Sequence, residues 1–138
     1  MREEVLSGST RRITTGCGNL YITLNKNKEG VPVECFVRLG KAGGCASCQT
    51  EALGRLITNA LRAGSAVVDI AHQLKGIGCH LPHGFGHGKI LSCADAVAVC
   101  LTDFIDLEKL YAEETKREAT GCPELELASS STELQEEE

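Results

Sequence analysis

The sequence predicts an α+β fold, a small antiparallel sheet (a hairpin plus an extra strand) with three helices packed on one face. Three observations lead there. Apolar and polar residues alternate over residues 20–25 and again over residues 33–39, around a polar loop that contains Gly30. Past the glycines of residues 40–44 the apolar period changes to that of a helix. The resulting order is hairpin, helix, helix, loop, helix, in which strands and helices are segregated, as in a two-layer domain.

Residues 1–11 have no periodicity and are expected to form a flexible N-terminus, with the folded domain over 12–120. From Arg12 the chain reads as extended. Leu20, Ile22 and Leu24 then share one strand face, and Val33, Cys35, Val37 and Leu39 share the same face of the next strand. A two-stranded hairpin is marginal alone, so a further strand is expected from residues 11–15, residues 89–91 or a second subunit. The first helix shows its apolar stripe at Ala52, Leu53, Leu56, Ile57, Ala60 and Leu61, and Gly64 suits the left-handed position after its end. Ser65 is the expected cap of a shorter helix carrying Val67, Ile70, Ala71 and Leu74, which Gly76 ends. Residues 76–90 form a Gly/His/Pro loop. Ser92-Cys93-Ala94-Asp95 reads as a helix start, with Ser92 as cap and an acid at the third helical position. Val97, Leu101, Phe104, Leu107 and Tyr111 continue its stripe for about four turns.

Composition narrows the function classes. The chain of 138 residues allows one domain, with 42% hydrophobic and 4% aromatic residues and no Trp, so the core must come from aliphatic side chains and Cys. No apolar run approaches the ~20 residues that span a bilayer. Met1-Arg2-Glu3-Glu4 lacks the apolar stretch of a secretory signal, so a cytoplasmic protein is expected, with no membrane partner. The net charge is −5, and residues 124–138 hold six acids and no base, leaving the body nearly neutral. A neutral body offers no electrostatic footprint for nucleic acid. Residues 121–138 are expected to form an acidic disordered tail.

Eight cysteines in a reducing compartment point away from disulfides and toward packing, metal ligation or redox chemistry. Cys17, Cys45, Cys79 and Cys93 fall at element junctions, three of them beside or near glycines that let backbone approach a bound group. Helix starts at Cys45 and Cys93 are expected to lower the thiol pKa, and the thiolate binds metal. Four thiolates suit zinc or an iron–sulfur cluster. The same residues also suit a tight apolar core. Cys35 and Cys100 lie on apolar stripes and are read as packing residues, and Cys122 lies in the tail. Cys45-Ala46-Ser47-Cys48 is a Cys-x-x-Cys shared by metal and redox readings, which makes Cys48 a further ligand or a redox thiol. In Cys79-His80-Leu81-Pro82-His83-Gly84-Phe85-Gly86-His87, His80, His83 and His87 are reserve ligands for a soft metal, or members of a flexible polar loop. No Walker or dinucleotide-binding glycine spacing is present. Lys41, Arg55 and Arg62 read as ordinary solvated charges.

Five ordered motifs carry a resemblance. Gly16-Cys17-Gly18-Asn19-Leu20-Tyr21-Ile22-Thr23-Leu24-Asn25, Gly40-Lys41-Ala42-Gly43-Gly44-Cys45, Glu51-Ala52-Leu53-Gly54-Arg55-Leu56-Ile57, Gln73-Leu74-Lys75-Gly76-Ile77 and Leu91-Ser92-Cys93-Ala94-Asp95-Ala96 together resemble the TSCPD domain over roughly residues 12–102. That domain occurs near the C-terminus of adenosylcobalamin-dependent (class II) ribonucleotide reductases and as small separate proteins. The family's Thr-Ser-Cys-Pro-Asp stands here as Leu91-Ser92-Cys93-Ala94-Asp95, keeping Ser, Cys and Asp. Gly121-Cys122-Pro123-Glu124 resembles the start of the cysteine-rich end of the large reductases, but Leu125 stands where the next Cys would be. The catalytic barrel has no room in a chain of this length.

The resemblance implies a metal-binding accessory module in deoxyribonucleotide synthesis, with no cobalamin bound and no catalysis by this chain alone. A reductase catalytic subunit and a second copy of the chain, in a dimer, are the expected partners. A free-standing iron–sulfur or thiol redox protein, and a homo-oligomer whose cysteines only pack, are the competing readings.

Overall fold

The computed structural model describes residues 2–41 and 43–119. Three strands, β1 (Ser7–Thr15), β2 (Gly18–Lys26) and β3 (Pro32–Leu39), form an antiparallel meander in the order β1-β2-β3. Three helices follow, α1 (Cys45–Arg62), α2 (Val67–Leu74) and α3 (Cys93–Ala119). The α+β fold is therefore as predicted, and the extra strand is β1. It starts at Ser7, earlier than the expected residue 11. Its polar Ser-Gly-Ser-Thr start has no apolar alternation to reveal it, yet it pairs with β2 in unbroken register from Ser7↔Lys26 to Thr15↔Gly18. Residues 89–91 contribute only an isolated bridge, His83↔Ile90. The tail at 121–138 with Cys122, and the side chain of Tyr111, lie outside the described residues. No described helix is long and apolar enough to cross a membrane.

The core lies between one sheet face and the helices. Leu20, Ile22, Leu24, Cys35 and Val37 meet Ile57, Leu61, Ala71, Val97, Cys100, Leu101 and Phe104 there. Burial of each large aliphatic side chain contributes about 1.5–3 kcal/mol. The outer face keeps Tyr21 and Phe36 partly exposed.

The position of α1 revises its predicted stripe. Thr50, Gly54, Ile57 and Leu61 are buried, whereas Ala52 and Leu56 are exposed. The helix lies along the free edge of β3 rather than under the middle of the sheet, so its inner face needs small and hydroxyl residues. A Cβ on Gly54 would sit 2.9 Å from the Val37 nitrogen. The Thr58 hydroxyl accepts from the Cys35 N–H and donates to its carbonyl, both at 3.0 Å, and so satisfies the edge. At the helix end Gly64 takes φ +92°, its N–H bonds to Leu61 and the Ser65 N–H bonds to Ala60, a Schellman motif. The cap of α2 is Ala66 without a side-chain bond, not Ser65. Ser65 gives its N–H to that preceding motif instead.

Alternation fails at Glu34. Its side chain is 4% exposed and grips Arg2 (2.7 Å) and Arg62 (2.7 Å). Arg62 is thus an ion-pair partner, not merely a solvated charge. Burial pushes the Glu34 carboxyl up, but hydrogen bonding and charge from Arg2, with help from Asn25 and Arg62, hold it below its ordinary value. Farther along, α3 is tied to the sheet by Arg11–Asp103 at 2.7 Å and by Lys26–Glu108. It extends to Ala119, beyond the four turns predicted.

Candidate functional site

One end of the sheet gathers the β1–β2 turn, the residue 76–91 loop and the start of α3. The turn is closed by the Thr15 hydroxyl, which donates to the Gly18 carbonyl at 2.9 Å. Gly16 lies under the loop, where a Cβ would stand 2.0 Å from the Leu81 carbonyl oxygen, so only glycine lets the two backbones touch. The loop is not loose. Cys79 donates its N–H to the Leu91 carbonyl at 3.0 Å, and His83 and Ile90 exchange two bonds of 2.8 Å. The Leu81 N–H donates to the Cys79 sulfur at 3.4 Å.

The α3 start is fixed by two side chains. Ser92 is the cap as predicted, its Oγ accepting from the Asp95 N–H at 3.1 Å and donating to the Ile77 carbonyl at 2.5 Å. Asp95 does more than favour a helix start. Its two carboxylate oxygens accept from the N–H groups of Gly76 (2.8 Å) and Leu91 (3.0 Å), tying the end of α2 to the loop exit.

These anchors bring three of the four predicted junction cysteines into mutual influence. Cys93 lies 3.7 Å from the Thr15 hydroxyl. Its thiol pKa is raised, not lowered as expected from a helix start. Burial is the largest cause, the Thr15 hydroxyl pulls the other way, and the neighbouring Cys17 and Cys79 thiols add to the rise. Desolvation, with the two neighbouring thiols, sets the direction here. Cys45 is the first residue of α1, is exposed, and has no hydrogen bond or charge contact with those three. Cys48 is also exposed, its sulfur donating to the Cys45 carbonyl at 3.1 Å. His80, His83 and His87 are exposed on the loop. Cys35 and Cys100 are packing thiols, as read from their stripes. Both are 1% exposed, and burial foremost pushes Cys35 up to about 12 and Cys100 up to about 11.

The model of the TSCPD domain family matches residues 2–105, well over half of the chain and every element from β1 into α3. The chain belongs to the TSCPD domain family. No curated protein and no solved structure gave a match. The TSCPD domain is known from class II ribonucleotide reductases.

Within this TSCPD domain, the family's Ser-Cys-Asp residues divide the work. Ser92 and Asp95 build the corner, and Cys93 is the side chain it presents. A soft metal fits the donor chemistry of Cys17, Cys79 and Cys93, although no three His, Cys, Asp or Glu side chains among the described residues stand in a ready ligating group. A groove of about 410 Å³ lies elsewhere, between α1 and β3, with Arg38, Arg55 and Arg62 among its lining residues. One site residue, Thr15, and one role, that of Asp95 in tying the loop, were not legible in the sequence. Thr15 has no signal beyond adjacency to Gly16-Cys17, and the loop-tying role of Asp95 depends on residues 19 and 4 positions away.

Proposed function

We propose that this TSCPD domain is a metal-binding accessory module of a class II ribonucleotide reductase system, not catalytic alone. Cys17, Cys79 and Cys93 hold zinc or an iron–sulfur cluster, completed by a ligand from the loop that carries His80, His83 and His87. The observation that supports this is the corner built from three separate chain segments, where Cys93 lies 3.7 Å from the Thr15 hydroxyl and Gly16, next to Cys17, lies under Leu81, whose N–H bonds the Cys79 sulfur. Neighbouring thiolates repel, and a bound cation removes that repulsion while displacing their protons. Family membership supports the link to a reductase catalytic subunit as partner. The unpaired outer edge of β1 supports association with a second copy.

Metal content of anaerobically purified protein tests the site. Cys17→Ser and Cys93→Ser should lose the metal, while Cys35→Ser and Cys100→Ser keep it. Visible absorption then separates an iron–sulfur cluster from zinc. Full metal content in both Cys17→Ser and Cys93→Ser would sink the proposal.

A further inference from the structure

We propose that Cys45 and Cys48 form a separate dithiol site at the start of α1 that exchanges with disulfide substrates, independently of the metal reading. Both thiols are exposed, as Cys79 is, whereas Cys35 and Cys100 are buried in the core and Cys17 and Cys93 are half-buried. Their spacing within one helical turn places the Cα atoms about 5 Å apart. Disulfides form at Cα separations of about 4.4–6.8 Å. The Cys48 sulfur is already turned back to the Cys45 carbonyl, at 3.1 Å. The turn that must adjust is lightly held. Gly43 and Gly44 precede it with φ of +80° and +84°, nothing lies within 4 Å of either position where a Cβ would be, and no side chain caps the helix. No acid sits in that first turn to repel an incoming or departing thiolate.

The exchange takes two steps. The Cys45 sulfur, having given its proton to water, attacks one sulfur of a disulfide RSSR. The S–S bond breaks, RS⁻ leaves and is protonated, and a mixed disulfide remains on Cys45. The Cys48 thiolate then attacks the Cys45 sulfur and expels the second RSH. Two thiols are oxidised to one disulfide, and RSSR is reduced to two RSH.

The test uses the full chain, reduced and then freed of reductant under anaerobic conditions, with glutathione disulfide as probe. After acid quench, alkylation and trypsin digestion, cleavage at Lys41 and Arg55 isolates residues 42–55, which contain Cys45 and Cys48 and no other cysteine. That peptide should appear lighter by two hydrogens and unalkylated, while peptides carrying Cys35 and Cys100 are fully alkylated. Cys45→Ser and Cys48→Ser should each stop at a glutathione mixed disulfide on the remaining thiol, with the metal content of the unaltered chain. Reaction of the reduced chain with insulin as well marks the substrate as a protein disulfide, and reaction with glutathione disulfide alone marks it as a small one. A wild-type peptide that stays reduced with both probes, or that accumulates only mixed disulfide, overturns the proposal. Loss of metal in Cys45→Ser overturns it too, because Cys45 would then be a ligand.

Discussion

The two ends of the sheet are held by different forces. At the end where β2 meets β3, charges do the work. Arg2 and Arg62 flank Glu34, and Lys26 reaches Glu108. At the opposite end, ion pairs give way to backbone contact and capping bonds around Gly16, Ser92 and Asp95, with the half-buried thiols of Cys17 and Cys93 next to them in the chain. The charged end responds to acid and can lose one partner at a time. The thiol end depends on close approach of chain segments, such as Gly16 under the Leu81 carbonyl.

The largest effect expected is from Gly16→Ala. The new methyl group collides with backbone at Leu81, so the loop must lift from the turn, at a cost of about 3 kcal/mol. Urea unfolding should show that loss, and metal content should fall with it because Cys79 moves from Cys17. Stability within a few tenths of a kcal/mol of wild type would mean that the two ends are not built differently. Asp95→Ala comes next, since it leaves two backbone donors without their carboxylate and should cost about 2–3 kcal/mol. Faster amide hydrogen exchange at Gly76 and Leu91 would locate the damage; unchanged exchange there would argue against the tie.

Glu34→Gln should cost about 1–2 kcal/mol at neutral pH, because the buried carboxylate carries charge-assisted bonds. Its depressed pKa sets the sign of the pH dependence. The stabilisation is fully present above the ordinary carboxylate range and disappears as pH falls through the depressed value. Thermal melts of wild type and Glu34→Gln should therefore converge in acid, and a gap that persists there would refute an ionic origin. The smallest effect belongs to Arg55→Ala. That exposed pair with Glu51 is an i,i+4 contact whose removal should shift stability by less than about 0.5 kcal/mol in the same urea assay.

The contrast between the ends also explains what was legible. Period-two runs at residues 20–24 and 33–39 exposed the hairpin, because its inner face has an unmistakable apolar partner in the helices. β1 was partly hidden, since an edge strand with Ser, Gly and Thr draws its stability from pairing rather than from its own side chains. The stripe of α1 misled because contact with a strand edge rewards Gly54 and Thr58, not Leu56. At the thiol end, the Ser92 cap is local and was readable. The thiol pKa of Cys93 was not, because burial and two distant cysteines decide it. At the charged end, Glu34 looks like an ordinary polar member of the β3 alternation, because the two arginines that hold it lie 32 and 28 residues away.

The hydroxyl of Thr58 has a consequence for stoichiometry. By bonding to both main-chain groups of Cys35, it closes one side of the sheet with a helix and leaves β1 as the open side. Such a sheet has a valence of one. Edge pairing through β1 consumes the site on each copy and stops at two, so growth into a fibre would first require α1 to be peeled from β3.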